Sequence, residues 1–229
     1  MVVGVRRRSR RAAAEQQEPV GTEAERYAAM GWPVCTGSQL TRGLHGTTEH
    51  GRACSCDRVG CPAPGAHPAS PAWQMQATVD LTTIRQWWQV NPSANVILVT
   101  GRVFDVLEVP AVPGASALAK MARDSVETGP VAMLGADTMH FYVTTRGAPV
   151  DEDEWWSCGL DCSPEIATPT GEVTWHCRDS FVLGPPSRYA GGQGVRWVRR
   201  PENRSLPDAL RLLEYLADAV EGCDMEGWR

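Results

Sequence analysis

Three cysteines and a histidine fall within fourteen residues in Cys54-Ser-Cys56-Asp-Arg-Val-Gly-Cys61-Pro-Ala-Pro-Gly-Ala-His67, spaced C-x-C-x4-C-x5-H. Thiolates and imidazoles are the soft and borderline donors that tetrahedral zinc selects, and a Gly/Pro-rich loop lets a short segment turn them towards one point. Cys54, Cys56, Cys61 and His67 make a complete set of four, which leaves no open coordination position, so the expectation is structural Zn²⁺. The C-x-C gap is tighter than the usual two-residue gap, which keeps Cys35, His45 and His50 open as substitute ligands. Cys158 and Cys162 either pair, bind metal or sit as ordinary loop thiols beside Trp155 and Trp156. Cys177 and Cys223 carry no signal of their own. Trp87, Trp88, Trp155 and Trp156 are candidates for stacking on bases, but tryptophan at helical spacing reads first as core.

Composition narrows the setting. The 229 residues suffice for one buried core. The chain reads as a basic, disordered tail over 1–20 and a single domain over 21–229. No apolar run approaches the roughly 20 residues that span a bilayer, and the basic start lacks the apolar segment of a secretion signal. A cytoplasmic setting with reduced thiols and no membrane partner follows. The net charge is −5, and five arginines (Arg6, Arg7, Arg8, Arg10, Arg11) sit in the tail. Without them the body has 17 basic against 27 acidic groups, which excludes a strongly cationic nucleic-acid surface.

The elements that must position the donors alternate between the two main types. A helix is expected from Thr22, capped by Thr-Glu-Ala-Glu and carrying Tyr27, Ala28 and Met30; a short strand follows at Trp32-Pro-Val-Cys. A second helix follows Asp80, with Ile84, Trp87 and Trp88 on one face. Asn95-Val-Ile-Leu-Val-Thr-Gly101 reads as a buried strand, and Val103 to Val109 as a second one in a hairpin with it or paired nearby. A helix over Ser116 to Arg123, strands over Pro130 to Leu134 and Met139 to Thr145, and one strand over Val173 to Leu183 complete the middle. Ser205-Leu-Pro-Asp opens a closing helix (205–221) whose apolar face is Leu206, Leu210, Leu213, Leu216 and Val220. Strands interspersed with helices make the fold class α+β.

Seven phrases recur here in the order of a known family: Tyr27-Ala-Ala-Met-Gly-Trp-Pro-Val, the cysteine loop with Pro64-Gly-Ala-His67-Pro, Ala77-Thr, Trp87-Trp88, Asn95-Val-Ile-Leu-Val-Thr-Gly, Phe104-Asp-Val-Leu-Glu-Val and Gly184-Pro-Pro-Ser. The chain resembles the N-terminal domain of bifunctional DNA primase/polymerases, a branch of the archaeo-eukaryotic primase superfamily, from about residue 23 to about 200. The resemblance implies an RRM-like primase/polymerase core sheet packed with helices, with the zinc-binding loop inserted near the N-terminus. It further implies nucleotide triphosphates and DNA as partners, a separate helicase or replication partner, and Mg²⁺ or Mn²⁺ on strand carboxylates.

The same resemblance locates the site and its departures. Glu108 takes the first acidic position of the family's Asp-x-Asp motif; Pro110 takes the second and cannot ligate. Asp105, three residues away along a strand, is expected on the opposite face. Thr138-Met139-His140 matches the small-x-His motif, making His140 the candidate triphosphate contact, although Leu134-Gly-Ala-Asp137 replaces its usual glycine-rich approach. In place of the third carboxylate stands His176 or Thr174, with Asp179 as a further candidate or a plain turn residue. Ala66 replaces the lysine of the family's Pro-Gly-Lys-His-Pro. The resemblance thus implies DNA-templated nucleotide polymerisation, weakened or lost. The alternatives are a non-catalytic accessory protein binding nucleotide or single-stranded nucleic acid, and a zinc-stabilised interaction module.

Overall fold

Side chains along a strand alternate between the two faces of its sheet, and that alternation sorts this chain's apolar residues into two layers. The computed structural model describes residues 19–42, 52–56, 58–145 and 173–226. The basic tail, His45, His50, residues 151–154, Trp155, Trp156, Cys158 and Cys162 lie outside the described residues. In chain order the elements are α1 (Val20–Ala29), β1 (Val34–Gly37), β2 (Leu40–Arg42), β3 (Arg52–Cys54), α2 (Trp73–Gln76), α3 (Leu81–Val90), β4 (Asn95–Val99) and β5 (Phe104–Pro110). There follow α4 (Ala111–Arg123), β6 (Val131–Leu134), β7 (Thr138–Thr144), β8 (Thr174–His176), β9 (Phe181–Gly184), β10 (Arg188–Tyr189), β11 (Gln193–Arg199) and α5 (Ala209–Glu226). The architecture is α+β, as the sequence implies.

A six-stranded antiparallel sheet runs in the order β10-β11-β6-β7-β5-β8, beside a three-stranded sheet β1-β4-β9 and a small hairpin β2-β3. On one face of the large sheet, Leu107, Val109, Met139, Phe141 and Val143 pack against Ala117 and Met121 of α4 and Leu212, Leu216 and Val220 of α5. Gly114 lets α4 approach closely, since a Cβ there would lie 2.9 Å from Val109 Cγ2. On the other face, Phe104, Val106, Ala132, Tyr142 and Val195 meet Trp32, α1 and the buried β4. Trp32 stacks on Tyr142 at 5.3 Å between ring centroids.

Several expectations are corrected here. β4 and β5 do not pair; they lie in different sheets, and the expected single strand over Val173 to Leu183 is likewise two. Both chain segments cross between sheets at one corner, so that β4 pairs with β9 and β5 with β8. The corner is stitched by Thr100 N–H to Ser180 O (3.1 Å) and Thr100 Oγ1–H to Cys177 O (2.6 Å). Gly101 (φ +77°) is required there, because a Cβ would fall 2.2 Å from Arg178 Cα. The first helix starts at Val20 after Pro19, which places Thr22 inside it rather than at its cap.

Two further helices, α3 and α5, follow their caps. Asp80 accepts the Thr83 N–H at 2.8 Å and starts α3, where Ile84 and Trp88 are buried and Trp87 is half-buried. Trp88 donates its indole N–H to Ala94 O at 3.0 Å, a core role. The closing helix begins after Asp208, which accepts the Arg211 N–H at 2.9 Å, not at Ser205. Its buried stripe is Ala209, Leu212, Leu216 and Val220, while Leu210 is 48% exposed. Among the described residues, no helix is long and apolar enough to cross a membrane.

That stripe gives a direct check on the packing. Leu212→Ala is expected to cost about 2–5 kcal/mol in urea denaturation, whereas Leu210→Ala should change stability by less than about 0.5 kcal/mol.

Candidate functional site

Glu108, in β5, is the polar exception on the large sheet's second face, the one that carries Phe104 and Val106. β5 lies between β7 and β8, so its neighbours are fixed by register: Glu108 stands opposite His140 on β7 and Thr174 on β8, with His176 opposite Val106. Directly opposed residues in an antiparallel pair share a face. His140 therefore points to the same side as Glu108, and so does His176, one diagonal step away. Asp105 faces the other side, where its carboxylate accepts the Trp175 indole N–H at 3.2 Å and the Gly101 N–H at 3.1 Å.

The three polar groups converge on one atom. His140 Nε2 lies 2.7 Å and His176 Nε2 3.0 Å from Glu108 Oε2. The His140 side chain is 2% exposed, that of His176 17% and that of Glu108 34%, so the cluster is reached from solvent through the carboxylate. Burial opposes ionisation of Glu108, but the hydrogen bonds and charges of His140 and His176 outweigh it and hold the carboxyl well below its usual range. Burial pushes His140 the other way, towards its neutral form, against the pull of Glu108. Its Nδ1 is buried without a hydrogen-bond partner among the described residues, which further disfavours an imidazolium with two N–H groups. The consistent state is a carboxylate receiving an N–H from a neutral His140. His176 is steadied from behind by Ser180 Oγ, 3.2 Å from its Nδ1.

The remaining candidates fall elsewhere. Thr174 sits on the same strand and face as His176, opposite Glu108, while Glu108, His140 and His176 are the acidic and imidazole donors grouped among the described residues. Asp179 occupies the turn between β8 and β9 with φ 59°, is exposed, and contacts Gln74 at 3.4 Å and Arg178 at 3.8 Å. Pro110, opposite Thr138 at the end of β5, caps α4 and offers no ligand.

A second cluster is built by the β2–β3 hairpin and the loop after it. Cys54, Cys56, Cys61 and His67 bring four donor atoms within 4.8 Å of one another. His67 Nε2 lies 3.2 Å from Cys54 Sγ and 3.5 Å from Cys61 Sγ. Bond lengths of about 2.0–2.3 Å to zinc would set tetrahedral donors about 3.3–3.8 Å apart, so the residues fit that ion. His67 Nδ1 lies 2.8 Å from Pro68 O, an arrangement in which Nδ1–H donates and the Nε2 lone pair faces the thiols. Burial opposes ionisation of Cys54, yet N–H groups of Cys56 and Gly65 and the side chains of Cys56 and His67 lower its thiol to about 6. Burial and the neighbouring thiols Cys56 and Cys54 raise Cys61 to about 11. Cys35, an alternative ligand, is instead core: it pairs with Ile97 across β1–β4, and burial raises its thiol to about 12.

Asn95, read from sequence only as the start of a strand, joins the two clusters' supports. Its Nδ2 lies 2.8 Å from Ser38 O, 2.7 Å from Gly65 O and 2.6 Å from Arg188 O, and its Oδ1 accepts the Arg188 N–H at 3.0 Å. The cysteine loop is thereby held against β10. Gly65 (φ +77°) permits the approach, since a Cβ would meet Arg188 O at 2.9 Å. A buried polar residue opening the apolar run Val-Ile-Leu-Val was the available signal, because such a group must find partners. Asn95→Ala strands these carbonyls and the Arg188 N–H; the expected loss is at least about 2 kcal/mol by thermal denaturation, with faster proteolytic cutting in the cysteine loop.

No curated protein matches the chain. The family model described as "Bifunctional DNA primase/polymerase, N-terminal" matches residues 24–210, a span that includes both clusters, Asn95 and the corner between the sheets. The chain belongs to the bifunctional DNA primase/polymerase N-terminal family.

Proposed function

We propose that the chain is a primase/polymerase-like protein that binds nucleotide triphosphate or single-stranded DNA on the Glu108 face, with polymerisation weakened or lost. The observation that carries this reading is the donor set: among the described residues Glu108 is the single carboxylate grouped with His140 and His176, and Pro110 takes the position at which the family resemblance expects a second. A divalent ion at such a site neutralises phosphate charge and aligns the attacking hydroxyl, a task shared in phosphoryl transfer by two ions. One carboxylate supplies charge enough for one. Glu108 would hold that ion, with Mn²⁺ suiting its imidazole neighbours better than Mg²⁺, and the triphosphate would meet the ion beside His140. Any priming role would draw on a helicase or other replication partner. Structural Zn²⁺ in the Cys54, Cys56, Cys61 and His67 cluster would fix the loop that Asn95 holds against β10.

Two measurements test this. Calorimetric titration with dNTP and Mn²⁺ should show binding that weakens at least about tenfold in Glu108→Ala, while primer extension yields little or no product. Strong extension lost in Glu108→Ala would restore full catalysis; no binding of nucleotide or single-stranded DNA would leave an interaction module. Metal analysis after exposure to a weak chelator should find one tightly held zinc per chain, absent from Cys54→Ser and His67→Ala, and stronger chelation should lower the melting temperature.

A further inference from the structure

The donor chemistry of the Glu108 cluster disagrees with a pair of oxygen-bound Mg²⁺ ions. We infer that this cluster is a one-ion site for a borderline first-row divalent cation, of the Mn²⁺ to Zn²⁺ series, that discriminates against Mg²⁺. The inference deepens the proposed function, since it rests on the Glu108 face as the reactive face.

Three observations support it. First, two of the three grouped donors are imidazoles: Glu108, His140 and His176 present ligand atoms all within 4.8 Å of one another. Mg²⁺ demands near-octahedral oxygen ligation, whereas imidazole suits the later divalent ions. Second, the spacing matches the edges of a coordination polyhedron. Nε2 of His140 and of His176 stand 2.7 and 3.0 Å from Glu108 Oε2, close to the roughly 3 Å separating neighbouring donors around an ion about 2.1 Å away. Third, Ser180 Oγ, 3.2 Å from His176 Nδ1, orients the ring from its far nitrogen and leaves Nε2 facing Glu108. Pro110 removes the ligand that a second ion would need, and Asp105 is committed to Trp175 and Gly101 on the opposite face.

The test uses Co²⁺ on the full-length protein carrying one zinc in the cysteine loop, with the Glu108 face first stripped by a weak chelator, and without nucleotide, so that it stands apart from nucleotide binding. The expected result is one Co²⁺ bound per chain by equilibrium dialysis, with visible d–d absorption that lacks thiolate charge transfer. Mg²⁺ in about hundredfold excess should leave that absorption in place, and His140→Ala and His176→Ala should each weaken Co²⁺ binding at least about tenfold. His176→Asp, which replaces an imidazole with a carboxylate and keeps the strand position, should shift the preference towards Mg²⁺; circular dichroism checks that each variant is folded. The inference is overturned by no Co²⁺ beyond the loop, by two ions on this face, or by ready displacement with Mg²⁺. Retained affinity in folded histidine variants overturns it too. Co²⁺ binding without nucleotide binding would uphold the metal site and sink the proposed function.

Discussion

The register of β5 between β7 and β8 is the constraint on which the rest depends. Odd-numbered residues of this strand, Leu107 and Val109, are locked under α4 and α5, while Val106 and Glu108 face the other way. A slip of one residue would bury Glu108 among aliphatic side chains and drive Leu107 into the polar cluster. The apolar core thus selects the register, and the register delivers His140 and His176 to one carboxylate oxygen. Burial then holds His140 towards its neutral form, because a neutral imidazole beside an ionised carboxylate leaves less charge to desolvate than a charged ring.

The cysteine cluster is attached to this core by few but directional contacts. Asn95 bonds to Ser38, Gly65 and Arg188 from inside the sheet β1-β4-β9 and so ties the loop to the strand beside the large sheet. Three thiols close together resist ionising at once, as the opposite shifts of Cys54 and Cys61 indicate. A cation among them removes that repulsion, which makes zinc and loop geometry mutually supporting.

Much of this was legible in the residues. The run Val96-Ile-Leu-Val99, the Asp80 cap, the cysteine spacing and the ordered family phrases all point to what the structure contains. Even the opposition of Asp105 and Glu108 follows from strand period. Legibility failed where long-range contacts decide. Val173 to Leu183 alternates with no Gly or Pro to announce its turn, and the left-handed conformation at Asp179 is one that Asp tolerates without signalling it. Leu210, Leu212 and Leu213 stand side by side, so periodicity alone cannot choose the stripe that α4 and the sheet accept. The choice between Thr174 and His176 was likewise a matter of reach: Thr174 is nearer in register, but the longer imidazole reaches Glu108.

The account's central claim is that one oxygen and two imidazole nitrogens define a single-ion site on this face. Anomalous diffraction at the manganese edge, from crystals soaked in Mn²⁺ and dNTP, addresses it most directly. The account predicts one strong peak among Glu108 Oε2, His140 Nε2 and His176 Nε2, apart from the cysteine loop. Two peaks bridged on this face, or none there, would contradict it.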